Sequence, residues 1–353
     1  MISVEALDTP VVTIDLDRLA SNIARVQKMV DDRGIANRPH VKTHKIPAIG
    51  KMQMDAGATG LTAQKLGEAE VFITSRASDD ILLSFNIVGL RKTERLMELS
   101  SRIKRLAVVA DNEIVIEGLS EAGRRHGRDI PLLIECDTGF GRNGVQTPQA
   151  ARALARYATN MPNIRFEGVM TFPNQGRSTG EFIERTLELL HEDGIPVPIV
   201  SGGGTPALLT MADYPMMTEH RAGTYVFNDV MMVRSGIATL DDCAMQVRTT
   251  VVSTPTADRA IVDAGSKVLT HERYYVENFG HVVEYPDAVV ERLSEEHGVL
   301  DLSRSARKPK VGEVVRIIPN HCCVVSNMVD EVFGIRNGKV EVEWAVAARG
   351  ATR

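Results

Sequence analysis

Cysteine is scarce in this chain of 353 residues: Cys136, Cys243, Cys322 and Cys323 are the four present. Their spacing builds no disulfide framework, which implies a reduced, cytoplasmic setting. Nor does any apolar run reach the roughly eighteen residues that a membrane span needs. The N-terminus, MISVEALDTP, has neither a basic start nor an apolar stretch, so no signal peptide is expected. An excess of positive charge is missing too. A net charge of −5 argues against nucleic acid as a partner, because phosphate binding needs a basic surface. Repeats and low-complexity segments are also lacking. What remains, 43% hydrophobic and 25% charged, has the balance of an ordinary soluble globular protein. It is long enough for one large barrel with an added domain.

Apolar, β-rich runs alternate with helical patterns up to about residue 230. The strand-like runs are 11–16, 37–42, 60–63, 80–83, 105–109, 130–135, 164–170, 198–201 and 221–227. Between them, 19–30 places Leu19, Ile23, Val26 and Val30 on one helical face, and 113–125 and 181–190 read the same way. Such alternation means parallel strands with helical crossovers, either an eight-stranded α/β barrel or an open doubly wound sheet. Nine runs are one too many for the barrel. The repair is for 11–16 to leave it and pair with the C-terminal domain. Function would then sit in the loops after the C-terminal ends of the remaining strands. Past residue 236 the texture changes to short strand-like runs at 245–253, 259–263, 313–318, 331–335 and 339–346, with helical signal only at 287–296. The expectation is a barrel over 17–235 and a mostly antiparallel β domain over 236–353, joined by the strand within 1–16.

Three stretches carry chemistry. The first, NRPHVKTHK at 37–45, is an extended run in which Pro39 fixes one φ and Val41 is β-branched, placing Lys42 at a strand end. His40, His44 and Lys45 crowd beside it. A lysine among cations and apolar groups loses its proton more easily, and a neutral amine can attack a carbonyl. The bland alternative is a basic surface loop. The second, SGGGTP at 201–206, follows a strand and opens a helix, so its backbone N–H groups can approach an anion closely. The third is PNHCC at 319–323. On an extended segment, residues i and i+2 share a side, so His321 and Cys323 can bind one metal ion while Cys322 points away. An imidazole and a thiolate suit zinc.

The run VTIDLDRLASNI at 12–23, the strand ending in Lys42, and GEAE at 67–70 together resemble alanine racemase and its relatives. These are pyridoxal phosphate enzymes built on a barrel plus a β domain. The PHVKTHK form looks more like the D-threonine aldolase and D-serine dehydratase branch. The resemblance covers nearly the whole chain and implies that Lys42 carries the cofactor. Ser201, Gly203 and Gly204 would form half of a phosphate cradle, with Gly223, Thr224 and Tyr225 the other half. HRAGTYVFND at 220–229 is similar to an Arg-Pro-Gly stretch in which the arginine, here Arg221, faces the pyridine nitrogen. A guanidinium only donates hydrogen bonds, so that nitrogen would stay unprotonated and the ring would be a weaker electron sink. The structural alternative for Arg221 is a salt bridge to Glu219 or Asp229. ECDTGFGRNGV at 135–145 resembles a family loop that would bring Arg142 to the cofactor's phenolic oxygen, with Asp137 shaping the turn. His321 and Cys323 match a metal pair of the branch, for zinc or manganese.

Two departures bear on the reaction. Residues 262–269, VDAGSKVL, lack the tyrosine base of a racemase, although Tyr274 and Tyr275 lie nearby. Asn174 ends a stretch where many relatives carry a histidine, leaving His40, His44, Thr171 or a metal-bound water as the base. The expected activity is a metal-dependent lyase acting on D-β-hydroxy amino acids, by D-threonine aldolase-type cleavage to glycine and an aldehyde. Dehydration of D-serine or D-3-hydroxyaspartate is the alternative. Racemisation and a non-catalytic pyridoxal phosphate carrier are the remaining readings, and the β domain argues against the carrier. A homodimer is expected from the resemblance.

Overall fold

The computed structural model describes residues 2–174 and 176–353 and divides into two compact units. One comprises Arg25–Lys42, Pro47–Gly223 and Ala351–Arg353; the other comprises Met1–Ala24, Thr43–Ile46 and Thr224–Gly350. In chain order, β1 (Val11–Asp15) and α1 (Leu16–Asp31) precede β2 (Ala36–Asn37), α2 (Pro47–Asp55), β3 (Leu61–Ala63), α3 (Leu66–Thr74) and β4 (Asp80–Asn86). There follow α4 (Leu90–Ser100), β5 (Arg105–Ala110), α5 (Glu113–His126), β6 (Ile130–Asp137), α6 (Pro148–Asn160) and β7 (Ile164–Phe172). The series closes with α7 (Arg177–Glu192), β8 (Ile199–Gly202) and β9 (Glu219–His220).

The strands β2 to β9 form one parallel sheet in the order β2-β9-β8-β7-β6-β5-β4-β3, and a parallel bridge between His40 and Thr62 joins its ends. This is the expected barrel. Parallel strands covered by helices are buried on both faces, and all eight residues of β6 are buried. Local signals set the helix ends: Asn112 accepts the Val115 N–H at the start of α5, and Gly127 ends it at φ +61°. The barrel also encloses a chain of charges. Arg38 Nε lies 2.5 Å from Glu219 Oε2 and its Nη1 2.7 Å from Asp80 Oδ1, while Arg105 joins Asp80 (2.7 Å) to Glu167 (2.5 Å).

The other unit contains a nine-stranded sheet. Its strands are β1, β10 (Met245–Thr256), β11 (Arg259–Val262), β12 (His281–Val282), β13 (Val289–Leu293), β14 (Gly298–Asp301), β15 (Val314–Ile318), β16 (Glu331–Arg336) and β17 (Lys339–Ala345). Strand β1 leaves the barrel, pairing antiparallel with β10 and parallel with β16. Strand β10 also pairs with β11, so β10 to β15 close on themselves. Short helices α8 (Val230–Arg234), α9 (Ser266–Leu269) and α10 (Cys322–Met328) accompany this sheet. Among the described residues no helix is long and apolar enough to cross a membrane.

Three local expectations are corrected. The span 287–296 is a strand and turn, because Val290 pairs with Leu300 and Leu293 with Gly298, which outweighs its helical spacing. The last barrel strand ends at His220, before 221–227; the chain then turns through a one-turn helix at Thr224–Val226 that buries Tyr225 and Phe227. The units divide at Gly223–Thr224, ahead of the change in sequence texture. Val230, Met231 and Met232 explain the earlier division, since they pack with Val276 and Ile318 of the β domain.

One glycine tests the barrel's packing. Gly168 sits at φ +146° beside a register shift in β7, and an added Cβ would lie 1.9 Å from Ile199 O. Gly168→Ala is expected to lower stability by at least about 2 kcal/mol, through strain and separation of β7 from β8. Urea unfolding followed by circular dichroism would measure it, and an unchanged midpoint would contradict the close approach.

Candidate active site

Lys42 lies in a single helical turn, Val41–Thr43, just past the barrel bridge at His40. It is exposed, whereas residues 37–41 and 43–46 are buried. Lys42 is thus the one exposed residue of the run 37–46. His40 Nδ1 accepts the Lys42 N–H at 3.4 Å, which puts the ring proton on Nε2, 3.0 Å from Gln64 Oε1. Both nitrogens are thus committed, and His40 orients the Lys42 peptide. His44 is fully buried, with Nδ1 accepting the Ile46 N–H at 3.1 Å. Lys45 Nζ donates to Ala348 O at 3.4 Å, and its carbonyl accepts the Ala348 N–H. The exposed, differently employed lysine is Lys42.

A polar relay runs to Arg221. Glu219, held by Arg38, accepts the Ser201 hydroxyl at 2.7 Å, and Ser201 Oγ in turn accepts Arg221 Nε at 2.9 Å. Arg221 Nη2 donates to Thr171 O at 2.6 Å. The Ser201 hydroxyl therefore joins Glu219 to Arg221. Neither Glu219 nor any other carboxylate forms a direct ion pair with Arg221 within the barrel unit, among the described residues. Burial lowers the Arg221 pKa to about 10, against the pull of Glu219 and Glu135. Gly203 takes φ +79°, and a Cβ there would lie 2.3 Å from His220 Nε2, so only glycine fits this turn.

In the loop after β6, the Asp137 carboxylate accepts the N–H groups of Gly139, Phe140, Gly141 and Arg142 at 2.8–3.2 Å. Burial opposes its ionisation, but these bonds win and hold its pKa at about 2. Arg142 is exposed, with Nε on Asn143 Oδ1 at 2.9 Å and its guanidinium over the rings of Phe140 and Phe172. Glu135 was not anticipated as a site residue. It is buried, accepts Asn143 Nδ2 at 2.6 Å, and burial raises its pKa to about 7 despite the charges of Arg221 and Arg142. Its only sequence signal was a carboxylate where the family's racemases carry lysine.

In the β-domain unit, His321 and Cys323 do come together, but not on an extended segment. His321 caps α10 and Cys323 lies in the helix's first turn. The Cys323 thiol is hydrogen-bonded to Thr43 Oγ1 (3.2 Å) and meets Thr224 Oγ1 at 3.7 Å. Thr43 and Thr224 directly follow Lys42 and Gly223 in sequence. Cys322 does not point away: its thiol beside Cys323 is the largest influence lowering the Cys323 pKa, followed by His321 and Thr43. Helical winding turns the two thiols toward a common neighbourhood, where an extended chain would separate them. Burial raises the Cys322 pKa, so the two neighbouring thiols are shifted in opposite directions. Burial works against a charged His321, yet Cys323, Asp229 and Glu272 raise its pKa to about 9.

Three further partners were missed. Glu272 bonds His321 Nδ1; Tyr274 sets its ring edgewise on the imidazole at 5.3 Å; Asp229 is fully buried. Asp229 caps α8 through the Met232 N–H (3.0 Å) and accepts the Cys322 N–H (3.1 Å), and burial raises its pKa to about 7. An aspartate directly before VMMVR is a legible cap signal; its second bond, to Cys322, is not. Among the described residues no group of three or more His, Cys, Asp or Glu is placed to hold a metal ion. Tyr225 is buried and belongs to the packing here.

Comparison with known proteins bears on these two clusters together. The family model for the alanine racemase N-terminal domain matches residues 14–230, and one for the serine dehydratase domain matches 244–335. A D-threonine aldolase of Arthrobacter sp. is 32% identical, with 98% of this chain and 94% of that protein aligned. The crystal structure of D-threonine aldolase from Filomicrobium marinum superposes with a TM-score of 0.91 at 31% identity, covering 98% of this chain and 97% of that one. A cysteine-to-alanine mutant of D-threo-3-hydroxyaspartate dehydratase, solved in the metal-free form, superposes with a TM-score of 0.86 at 29% identity, covering 98% and 99%. The chain thus belongs to the alanine racemase-like, pyridoxal phosphate-dependent family, among its aldolase and dehydratase lyases.

Proposed function

We propose that this lyase cleaves D-configured β-hydroxy amino acids by D-threonine aldolase-type chemistry, releasing glycine and an aldehyde. The observation that carries a metal-assisted lyase reading is the meeting of His321 and Cys323, whose Sγ lies 3.2 Å from Oγ1 of Thr43, the residue after Lys42, and the near full-length likeness to a D-threonine aldolase favours cleavage. The barrel residues fit the cofactor. Lys42 presents the exposed amine, Gly203 and Gly204 give a turn that no side chain obstructs, and Gly223 follows Arg221 in the chain. Bound pyridoxal phosphate supplies the carbonyl that captures amines and a ring that withdraws electrons from the substrate. Arg221 offers only donors, so a pyridine nitrogen facing it stays unprotonated. Arg142, at the tip of the Asp137 loop, is the cation suited to a phenolic oxygen.

The pair also fits a divalent metal. With Nδ1 on Glu272, His321 keeps Nε2 for an ion, the arrangement in which a carboxylate fixes a ligating imidazole. The soft thiolate favours zinc, with manganese the harder alternative. A metal ion supplies Lewis acidity to the substrate's β-hydroxyl. Lys42 would hold the cofactor through its amine and, once that amine is released, would take or return a proton at the substrate. Dehydration of the same substrates is the second reading, favoured by the cysteine in the pair and by the full-length likeness to a D-threo-3-hydroxyaspartate dehydratase. On either reading the protein works as a cytoplasmic homodimer on a small D-amino acid, and sedimentation of a fully active monomer would contradict the assembly. Incubation with pyridoxal phosphate, a divalent metal and D-threonine decides the reaction. Glycine with acetaldehyde marks the aldolase; 2-oxobutanoate with ammonia marks the dehydratase.

Borohydride reduction of the cofactor-loaded protein is expected to leave the pyridoxyl group on Lys42, and a label on Lys45 would overturn the cofactor site. Cys323→Ala should reduce turnover by at least about a thousandfold while leaving cofactor absorbance intact, and a chelator should act alike. Full activity after metal removal would reject the metal reading. A pH dependence follows from His321. Its pKa of about 9 keeps it protonated at neutral pH, so a metal must displace that proton. Zinc affinity should therefore rise about tenfold per pH unit from 7 towards 9 and then level off. Isothermal titration in buffers of different ionisation enthalpy would show about one proton released at pH 7.

A further inference from the structure

Residues 273–276 form a tight turn closed by the Val276 N–H on Arg273 O at 2.7 Å. Its second residue, Tyr274, has φ +47°, a conformation that turns of this kind normally give to glycine, asparagine or aspartate. A bulky aromatic residue there is strained, and strain persists only where the surroundings impose it. The surroundings are on hand. Tyr275 Oη donates to Met231 O (2.8 Å) and lies 2.5 Å from Ser235 Oγ, while Val276 is buried in the core with Met231 and Met232. The turn is thus tied down on both sides of its backbone, and Tyr274 is directed onto His321.

Tyr274 is 64% exposed, so burial of the ring does not explain its position. What it does contact is specific. Its ring centroid lies 5.3 Å from that of His321 at an interplanar angle of 72°, and its phenol is within reach of the Glu272 carboxylate that binds His321 Nδ1. An edgewise aromatic contact and a carboxylate together fix both the plane and the rotation of an imidazole.

We infer that Tyr274 is a positioning residue for the His321–Cys323 pair, holding the imidazole so that Nε2 stays turned to the ion. The inference rests on the metal reading of that pair, and residues 262–269, without a tyrosine, leave this turn as the nearby source of an aromatic ring. The test compares Tyr274→Ala, Tyr274→Gly and Tyr274→Phe with the wild-type protein by cobalt titration and by zinc competition against a chromophoric chelator. Thermal unfolding of the metal-free proteins is followed in parallel.

Tyr274→Ala and Tyr274→Gly are expected to bind cobalt about 10- to 100-fold more weakly, the loss typical of an outer partner of a metal ligand, with an altered thiolate-to-cobalt absorption band. Tyr274→Phe keeps the ring and should stay within about threefold of wild type. Metal-free Tyr274→Gly should melt no lower than wild type, because glycine relieves the positive φ. Wild-type cobalt affinity and spectrum in Tyr274→Ala would overturn the inference while sparing the metal pair. Loss of cobalt binding in Tyr274→Phe equal to that in Tyr274→Ala would also overturn it, since the ring would then have no role. A wild-type protein that takes up no cobalt would reject the metal reading and the inference with it.

Discussion

The barrel depends on the buried carboxylate of Glu219 and on the partners that hold it. It sits 5% exposed at the start of β9, between Arg38 on one side and Ser201 on the other. A buried carboxylate is tolerated only when paired and hydrogen-bonded, and removing one partner of such a pair typically costs about 3–5 kcal/mol. Through Ser201 the same carboxylate fixes Nε of Arg221. Through Arg38 it is tied to Asp80, Arg105 and Glu167 at the starts of β4 and β5 and within β7. Strand pairing and the aim of a site arginine therefore share one buried charge.

Asp229 plays a corresponding part in the β-domain unit. One oxygen begins α8 and the other accepts the Cys322 N–H at the beginning of α10. Two short helices are thereby set in one place by one side chain, and the second presents His321 and Cys323. Each is too short to be stable by propensity alone, so tertiary contacts decide their existence. The charge arrangement follows from the same packing. Cys323, Asp229 and Glu272 together raise the His321 pKa to about 9 against its burial.

The two clusters have different chemical characters. Around Arg221 the groups are donors committed to protein oxygens, and Glu135 is held near neutrality. Around His321 stand Glu272, Tyr274 and Cys323, and the two sets of groups belong to separate compact units. Lys42 and Gly223 are the last residues of the barrel unit at two of the points where the chain leaves it, and Thr43 and Thr224, the first on the other side, both meet Cys323.

Periodicity and composition determined the alternation of strands and helices, the departure of β1 to the second sheet, and the change to antiparallel pairing, because burial on one or two faces imposes residue spacing directly. Pro39, Val41 and the cations around Lys42 singled out that lysine, and the structure leaves it exposed within a buried run. The glycine run at 202–204 marked a turn whose φ at Gly203 only glycine supports. Partner choice was beyond the sequence. Val289–Leu293 has helical spacing, but strand partners in Val299 and Leu300 made it a strand. That the Ser201 hydroxyl joins Glu219 to Arg221, eighteen and twenty residues away, has no signal in the sequence. Cys322 was assigned to the far side of an extended segment, and the helix at Cys322–Met328, begun by an aspartate some ninety residues earlier, brought it beside Cys323. Residue types and spacing are local properties and survive in the sequence; which distant group satisfies a buried polar atom is settled only when the chain has closed around it.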